Sequence, residues 1–230
     1  MLVGISFILF NFNIKDLLTD NSYTFFHSYI CLDLLFIVMK VLIVLGHPNS
    51  GSFNHALAEA CNTQITKNGH TVFFHDLYKE HFNPLNHSKD DDIAQYCSEL
   101  TTSDGIIMIH PNWWGQPPAI VKGFLDRVFI PDVAYTFIHD ANNKLITKGL
   151  LKAQIALVLN TSNTTQELED NIYKDPLETI WKNRVFHFCG ISNFKRINYS
   201  VMKDSNIEQR KIWLSEIQNL VNSYFPKEKN

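Results

Sequence analysis

The sequence predicts an α/β fold, a three-layer sandwich with a five-stranded parallel sheet in the order 2-1-3-4-5. Apolar runs alternate five times with helical patterns, and this alternation is typical of a parallel sheet covered by helices on both faces. A turn rich in Ser and Asn follows the first strand. Five strands with such an early turn favour this order over the six-strand order of dinucleotide-binding domains.

The first half of the pattern begins with a strand at residues 41–45, because this short apolar run is rich in Val and Ile. A Pro- and Ser-containing turn at 47–52 leads to a helix that begins at Phe53 and ends at Asn68-Gly69, a typical helix stop. Residues 71–75 form the second predicted strand, and 77–89 an irregular connection. A helix from about 90 to 100 precedes the third strand at 105–109.

The second half repeats the alternation. Residues 118–127 are predicted as a helix with Pro near its first turn, where Pro is favoured. A fourth strand is predicted at 153–159, a helix from about 176 to 189, a fifth strand at 194–201 and a closing amphipathic helix at 207–224. Trp181 falls inside a helical pattern and is expected in the core rather than in a site.

Composition excludes several classes of protein. The 230 residues are 45% hydrophobic and 19% charged, as in an ordinary globular domain. A formal net charge of -3 gives no reason to expect nucleic acid as a partner. The four cysteines show neither Cys-x-x-Cys nor metal-ligand spacing, so no metal is expected and the thiols are those of a cytoplasmic protein.

Residues 1–38 differ from the rest of the chain. Met39 and Lys40 lead directly into the first strand, so we expect 1–38 to be an N-terminal extension outside the fold and 39–230 to be the functional domain. The extension lacks the basic start of a secretory signal, because its first basic residue is Lys15. His27 and Asp33 interrupt its second apolar run, so we expect no membrane association.

The turn at residues 46–54 has the features of a phosphate site. Ser50, Ser52 and Asn54 supply hydroxyl and amide groups at the start of the first helix, where free backbone N–H groups favour an anion. Gly51 permits close approach of the backbone. Such a turn is also an ordinary helix N-cap. The glycine pattern of classical dinucleotide sites and the lysine of P-loops are missing from the sequence.

The second informative segment, residues 110–129, follows the third strand. Trp113 and Trp114 are followed by Gly115 and a Gln-Pro-Pro turn, just before a helix. Ligands of open α/β sheets bind at the carboxyl ends of the strands. A rigid aromatic loop at this place suits a flat, conjugated ligand, although the two indoles could instead only pack the loop on the core.

Together, segments 46–54 and 110–129 resemble those of the NAD(P)H:quinone oxidoreductases, a branch of the flavodoxin-like superfamily. The resemblance extends over about residues 40–201 and implies a flavodoxin-like fold that binds FAD or FMN. By position it implies that the Ser52-Phe53-Asn54 segment contacts the flavin phosphate and ribityl chain. The complete set of cofactor-binding residues that it implies is His47, Ser52, Phe53, Asn54, Asn112, Trp113, Trp114, Gly115, Asn160, Thr161 and Ser162.

The resemblance also implies two substrate contacts, Trp114 and Tyr135, the latter at the mouth of the site. Tyr135 could equally be a half-buried loop aromatic. The loop after the fourth strand departs from the family: Thr161 and Ser162 keep hydroxyl groups, but the family's two glycines are missing. The family's Tyr/His pair for proton transfer is unmatched as well, so no catalytic side chain is assigned.

The function implied is transfer of a hydride from NAD(P)H through flavin to a quinone or similar acceptor, with no side-chain nucleophile. Relatives are commonly homodimers, so a homodimer is expected. Three alternatives stay open: a non-catalytic regulatory subunit of a membrane transporter, a reductase of nitro or azo compounds, and a one-electron carrier. The carrier is disfavoured because carriers are usually strongly acidic and lack the loop with two tryptophans.

Overall fold

Five parallel strands form the central sheet of the computed structural model, which describes residues 38–85 and 93–227. Their order is β2-β1-β3-β6-β7, and adjacent strands pair in parallel throughout. The strands are β1 (Lys40–Leu45), β2 (Thr71–Asp76), β3 (Gly105–Pro111), β6 (Ile155–Thr161) and β7 (Phe194–Tyr199). This order confirms the predicted flavodoxin-like fold, because β6 and β7 are the fourth and fifth strands of the sheet.

Burial explains why these segments form strands. Every residue of β3 and of β6 is buried, and in β1 only Lys40 is exposed. Strands enclosed on both faces lack the alternation of half-exposed strands and appear as continuous apolar runs. The predicted fifth strand extended to residue 201, but β7 ends at Tyr199 because Val201 adopts a left-handed backbone conformation with φ of 56°.

Helices cover both faces of the sheet. Helix α1 (Phe53–Lys67) and helix α6 (Ile207–Tyr224) enclose one apolar core, whereas α2 (Ile93–Thr102) and α3 (Ala119–Val128) enclose the other. Ser52 caps α1 and Asn206 caps α6 through side-chain oxygens, which satisfies N–H groups that have no partner within a helix. The positions of three predicted helices are therefore confirmed. A fourth helix was predicted from about residue 90, and within the described residues it corresponds to α2, which begins at Ile93.

Two further helices form above the sheet between β6 and β7. Helix α4 (Gln166–Leu168) continues into a π-helical turn at Glu169–Tyr173, and α5 (Pro176–Thr179) continues into a second one at Ile180–Phe186. The helix predicted from about 176 to 189 therefore begins where expected but is mostly π-helical. Trp181 is fully buried, as predicted. In the described part of the chain, Cys61, Cys97 and Cys189 are free thiols.

A two-stranded hairpin, absent from the sequence prediction, lies outside the central sheet. Strand β4 (Tyr135–His139) pairs antiparallel with β5 (Leu145–Gly149). The Asp140 carboxylate accepts hydrogen bonds from the backbone N–H groups of Asn142 and Lys144, both at 2.9 Å, and closes the turn. Asn143 takes a positive φ of 59°, which Asn tolerates better than most residues.

The expectation that 1–38 is an extension falls almost entirely outside the described residues. The described residues, 38–85 and 93–227, belong to one compact unit. None of the helices that the structure describes is both long and apolar enough to cross a bilayer.

Candidate flavin and acceptor site

Two cavities lie side by side at the carboxyl ends of β1, β3 and β6. The smaller has a volume of about 250 Å³ and the larger about 490 Å³. Asn112, the first residue after β3, lines both. The smaller cavity is lined by His47, Ser52, Phe53, Asn54, Pro111, Asn112, Trp113, Thr161, Ser162, Asn163 and Met202. The larger is lined by Asn112, Trp114, Gly115, Thr164, Glu169, Tyr173 and Pro176.

The start of α1 forms one wall of the smaller cavity. Among the described residues, no acceptor is found for the backbone N–H groups of Phe53 and Asn54, so these groups and the helix dipole favour an anion there. Ser52 Oγ lies 2.9 Å from His55 Nδ1, and His55 Nε2 lies 3.1 Å from the Asp76 carboxylate. This chain of contacts fixes the hydroxyl at the helix end.

Asn54 is the most informative residue of this cavity. Its side chain is buried, and its amide Nδ2 donates to Thr161 Oγ1 at 2.9 Å. Its other side-chain atom, Oδ1, is buried and accepts no hydrogen bond in the described part of the chain. A buried acceptor without a donor is costly and therefore rare. A ligand with hydroxyl groups would supply the missing donor.

His47 completes the wall opposite the tryptophan loop. The backbone N–H of Asn49 donates to His47 Nδ1 at 3.1 Å, and the imidazole ring lies 6.5 Å from that of Trp113. Burial lowers the pKa of His47 from its ordinary value, the Asn49 backbone partly offsets this, and the neighbouring His55 lowers it further. The neutral ring is therefore favoured at pH 7, and its Nδ1 also lies 3.2 Å from the Asn49 carbonyl.

Asn112 holds the tryptophan loop in place. Its backbone N–H donates to the Thr161 carbonyl at 2.7 Å, and its side-chain Oδ1 accepts from the Gly115 N–H at 2.9 Å. Trp113 and Gln116 exchange two backbone hydrogen bonds of 3.1 Å. Of the five backbone N–H groups from Asn112 to Gln116, only that of Trp114 has no acceptor among the described residues, so this group can bind a ligand.

Two residues of the loop adopt left-handed backbone conformations, Trp114 at φ 59° and Gly115 at φ 70°. A Cβ at Gly115 would approach Pro176 Cγ to 2.8 Å, so glycine is required by conformation and by space. The Trp114 side chain is 100% exposed and that of Trp113 42%. The indoles do not pack the loop on the core; they form open apolar walls.

The structure brings together most residues that the sequence predicted for the site. Ser52, Phe53, Asn54, Thr161 and Ser162 line the smaller cavity, together with His47, Asn112 and Trp113. Trp114 and Gly115 line the larger one. Sequence reasoning missed the second wall of the larger cavity: Thr164, Glu169, Tyr173 and Pro176. Asp175 before Pro176 is a helix-start signal, but nothing in the sequence marks the residues before it as cavity walls.

Two predicted residues lie elsewhere. Asn160 is fully buried and lines neither cavity; its Nδ2 donates to the His110 carbonyl, and its Oδ1 accepts from Arg196 at 3.2 Å. Tyr135 begins the hairpin, where its ring packs on Phe188 at 4.8 Å between centroids. It too lines neither cavity within one chain.

A doubly wound sheet with a phosphate-type helix start beside an open aromatic loop is the architecture of a flavodoxin-like protein. The model of the flavodoxin-like fold family matches residues 39–220, and the chain belongs to this family. Within it, the chain is similar to the NAD(P)H:quinone oxidoreductases, as its motifs indicated, and it is an oxidoreductase enzyme.

Three relatives illustrate the similarity. An uncharacterized NAD(P)H oxidoreductase of Haemophilus influenzae is 34% identical over 67% of this chain and 80% of its own length. The mouse ribosyldihydronicotinamide dehydrogenase [quinone] is 26% identical over 82% and 93%, respectively. A crystal structure of a Streptococcus mutans protein superimposes with a TM-score of 0.69 at 31% identity, covering 80% of this chain and all of that one.

Proposed function

We propose that this protein binds a flavin and transfers a hydride from NAD(P)H by way of that flavin to a quinone or similar acceptor. The observation that carries the proposal is the unpartnered Oδ1 of Asn54, buried at the junction between an anion-favouring helix start and an open aromatic cavity. A flavin mononucleotide or dinucleotide has a phosphate, a hydroxylated chain and a flat ring in that sequence, which matches the order of these three features.

The smaller cavity fits the phosphate and the ribityl chain. The N–H groups of Phe53 and Asn54 and the Ser52 hydroxyl would hold the phosphate, while Asn54 Oδ1 would accept a hydrogen bond from a ribityl hydroxyl. Ser162 and Thr161 add further hydroxyl groups on the opposite side. His47 Nε2 would lie beside the second phosphate if the dinucleotide FAD, rather than FMN, is the cofactor.

The larger cavity fits the ring and the acceptor. Trp113 and Trp114 would flank the ring, and the Trp114 N–H would donate to its polar edge. The flavin supplies the hydride chemistry when it is bound. The chain's own residues orient the acceptor against it and exclude water, and NAD(P)H and the acceptor would occupy this cavity in turn.

We also propose that the protein acts as a homodimer in the cytoplasm. Ile138 and Ile146, which are directly paired across the hairpin, are both partly exposed, and so are Phe137 and Leu145 on the other face. Apolar side chains clustered on a projecting hairpin are typical of interaction surfaces. A partner on this hairpin would bring Tyr135 to the edge of a shared site. The free thiols favour the cytoplasm.

The test is a visible absorption spectrum of purified protein expressed from Met39, recorded without oxygen before and after addition of NADPH. A flavin spectrum that bleaches and then recovers when benzoquinone is added supports the proposal, and the released cofactor distinguishes FMN from FAD. Recovery with an azo or nitro compound but not with a quinone favours that alternative reductase. Protein that cannot be loaded with either flavin would overturn the proposal and favour a regulatory role.

A further inference from the structure

Two titratable side chains line the larger cavity, and only one of them is shielded from water. Glu169 is 4% exposed, whereas Tyr173 is 57% exposed. Glu169 Oε1 accepts a hydrogen bond from Asn112 Nδ2 at 3.0 Å. In residues 38–85 and 93–227, no group donates a hydrogen bond to its other oxygen, Oε2. This atom is also not one of the fully buried side-chain atoms that lack a partner. A carboxyl group in the cavity wall thus keeps one oxygen free.

Within the described part of the chain, Glu169 forms no ion pair. The nearest guanidinium, that of Arg196, contacts the Asp175 carboxylate, bonds to Glu178 Oε2 at 3.1 Å and donates to Asn160 at 3.2 Å. Two carboxylates therefore share this one positive charge. Asp175 is also tied to Glu169 directly, because its backbone N–H donates to the Glu169 carbonyl at 2.8 Å.

These surroundings favour the protonated carboxyl. Burial raises the pKa of Glu169 above its ordinary value, and the Asp175 charge raises it further. Arg196 and the hydrogen bond from Asn112 lower it, and Asp170 raises it slightly. Asp170 belongs to the π-helical turn, Asn112 to the loop after β3, Asp175 to the cap of α5 and Arg196 to strand β7. These are the elements that surround the carboxyl group. The net direction is upward.

We propose that Glu169 is the general acid of the acceptor half-reaction; this rests on the proposed function of the same site. Reduction of a quinone to a hydroquinone takes one hydride and one proton. The hydride, which originates from NAD(P)H, delivers both electrons. The O–H bond of Glu169 breaks as an O–H bond forms on the acceptor oxygen, and the resulting carboxylate then takes a proton from water. Nothing else is oxidised or reduced.

The first test compares Glu169→Gln with Glu167→Gln, an exposed glutamate two residues earlier in α4, the helix that leads into the π-helical turn of Glu169. Stopped-flow measurements separate bleaching of the flavin by NADPH from its recovery with benzoquinone. For Glu169→Gln we expect recovery slowed by about 100-fold, within the range for loss of a general acid, and a much smaller effect on bleaching, which needs no proton donor. Glu167→Gln should behave as wild type. Equal recovery rates in all three proteins would overturn the proposal.

The second test does not depend on turnover. Infrared spectra of the flavin-loaded protein, recorded over a pH series, should show the Glu169 carboxyl titrating above the ordinary pKa of Glu near 4.3. Subtracting the spectra of Glu169→Gln isolates this band, which Glu167→Gln should retain. A band that titrates at or below the ordinary value contradicts the proposal even if Glu169→Gln shows little activity. If NADPH bleaches none of the proteins, the proposed function fails, whereas the infrared result still reports on Glu169.

Discussion

The indole Nε1–H of Trp181 donates to Nε2 of His110, the residue before the last one of β3, at 3.0 Å. On the other side of the imidazole, Nδ1 lies 2.8 Å from the Pro111 carbonyl, so this atom carries the proton. Both residues are fully buried. His110 is therefore held neutral, in one tautomer, immediately before the residues that begin the tryptophan loop.

Stability should fall in mild acid because of His110. Burial lowers its pKa to about 4, the Pro111 carbonyl opposes this, and Arg196 lowers it further; the unfolded value is about 6.5. Between these values the unfolded chain binds the extra proton, so the stabilisation is complete above about pH 6.5 and is lost as the pH falls towards 4. The loss amounts to about 3 kcal/mol by linkage.

Urea unfolding of His110→Gln at pH 7 and pH 4.5 checks this expectation. The variant keeps an acceptor for Trp181 but cannot titrate, so its two free energies of unfolding should differ less than those of the wild type. His187→Gln, at an exposed histidine, should retain the full difference. An unchanged acid loss in His110→Gln would show that other groups cause it.

Replacing Asn54 should weaken flavin binding. Asn54→Ala removes the free Oδ1 together with the Nδ2 bond to Thr161, so we expect the Kd of the flavin to rise about tenfold. Fluorescence titration of the apoprotein measures it. Asn62→Ala, on the same helix but away from both cavities, should leave the Kd unchanged. Equal Kd values for both variants would exclude Asn54 from the binding site.

Gly115→Ala should distort the tryptophan loop. Its positive φ costs a non-glycine residue about 1–2 kcal/mol, and the new methyl would also meet Pro176. We expect weaker flavin binding and a lower free energy of unfolding, measured by titration and by urea. Adding Pro176→Ala should restore the share of the lost free energy of unfolding that the clash causes. The share that the positive φ causes should remain lost. No recovery in the double variant would mean that the conformational cost alone accounts for the loss.

The exposed hairpin predicts the outcome of an assembly experiment. Ile138→Asp places a charge on the apolar face shared with Ile146 and should convert the proposed dimer to monomer, as measured by analytical ultracentrifugation. Ile212→Asp changes an equally apolar, exposed side chain on α6 and should leave the dimer intact. A wild-type protein that sediments as a monomer, or an Ile138→Asp variant that remains dimeric, would exclude the hairpin as the interface.

The central sheet could be predicted because its strands are enclosed on both faces, and runs such as 105–109 are then apolar throughout. The hairpin could not, because both faces of β4 and β5 carry exposed side chains and no alternation results. Glu169 was missed because it lies in a π-helical turn, where the 3.6-residue spacing used to assign faces does not hold.

Asn160 illustrates a different limit of sequence analysis. The sequence predicted a strand that ends at residue 159 and a turn that contains Asn160, whereas Asn160 lies within β6, and Thr161 beside it lines the smaller cavity. The side chain of Asn160 is instead buried against His110 and Arg196, because neighbouring residues of a strand point to opposite faces. The loops that fold over the end of the strand decide whether Asn160 or Thr161 points towards the ligand. The residues of the strand itself do not encode how those loops fold.

The full exposure of the Trp114 indole makes the protein its own optical reporter. Trp181, enclosed among apolar residues, should emit at short wavelength and resist quenching by iodide, while Trp114 should emit at long wavelength and be readily quenched. A flavin bound against the loop should quench the emission of Trp114 by energy transfer. Occupancy of the ring cavity can therefore be followed in real time without any added dye.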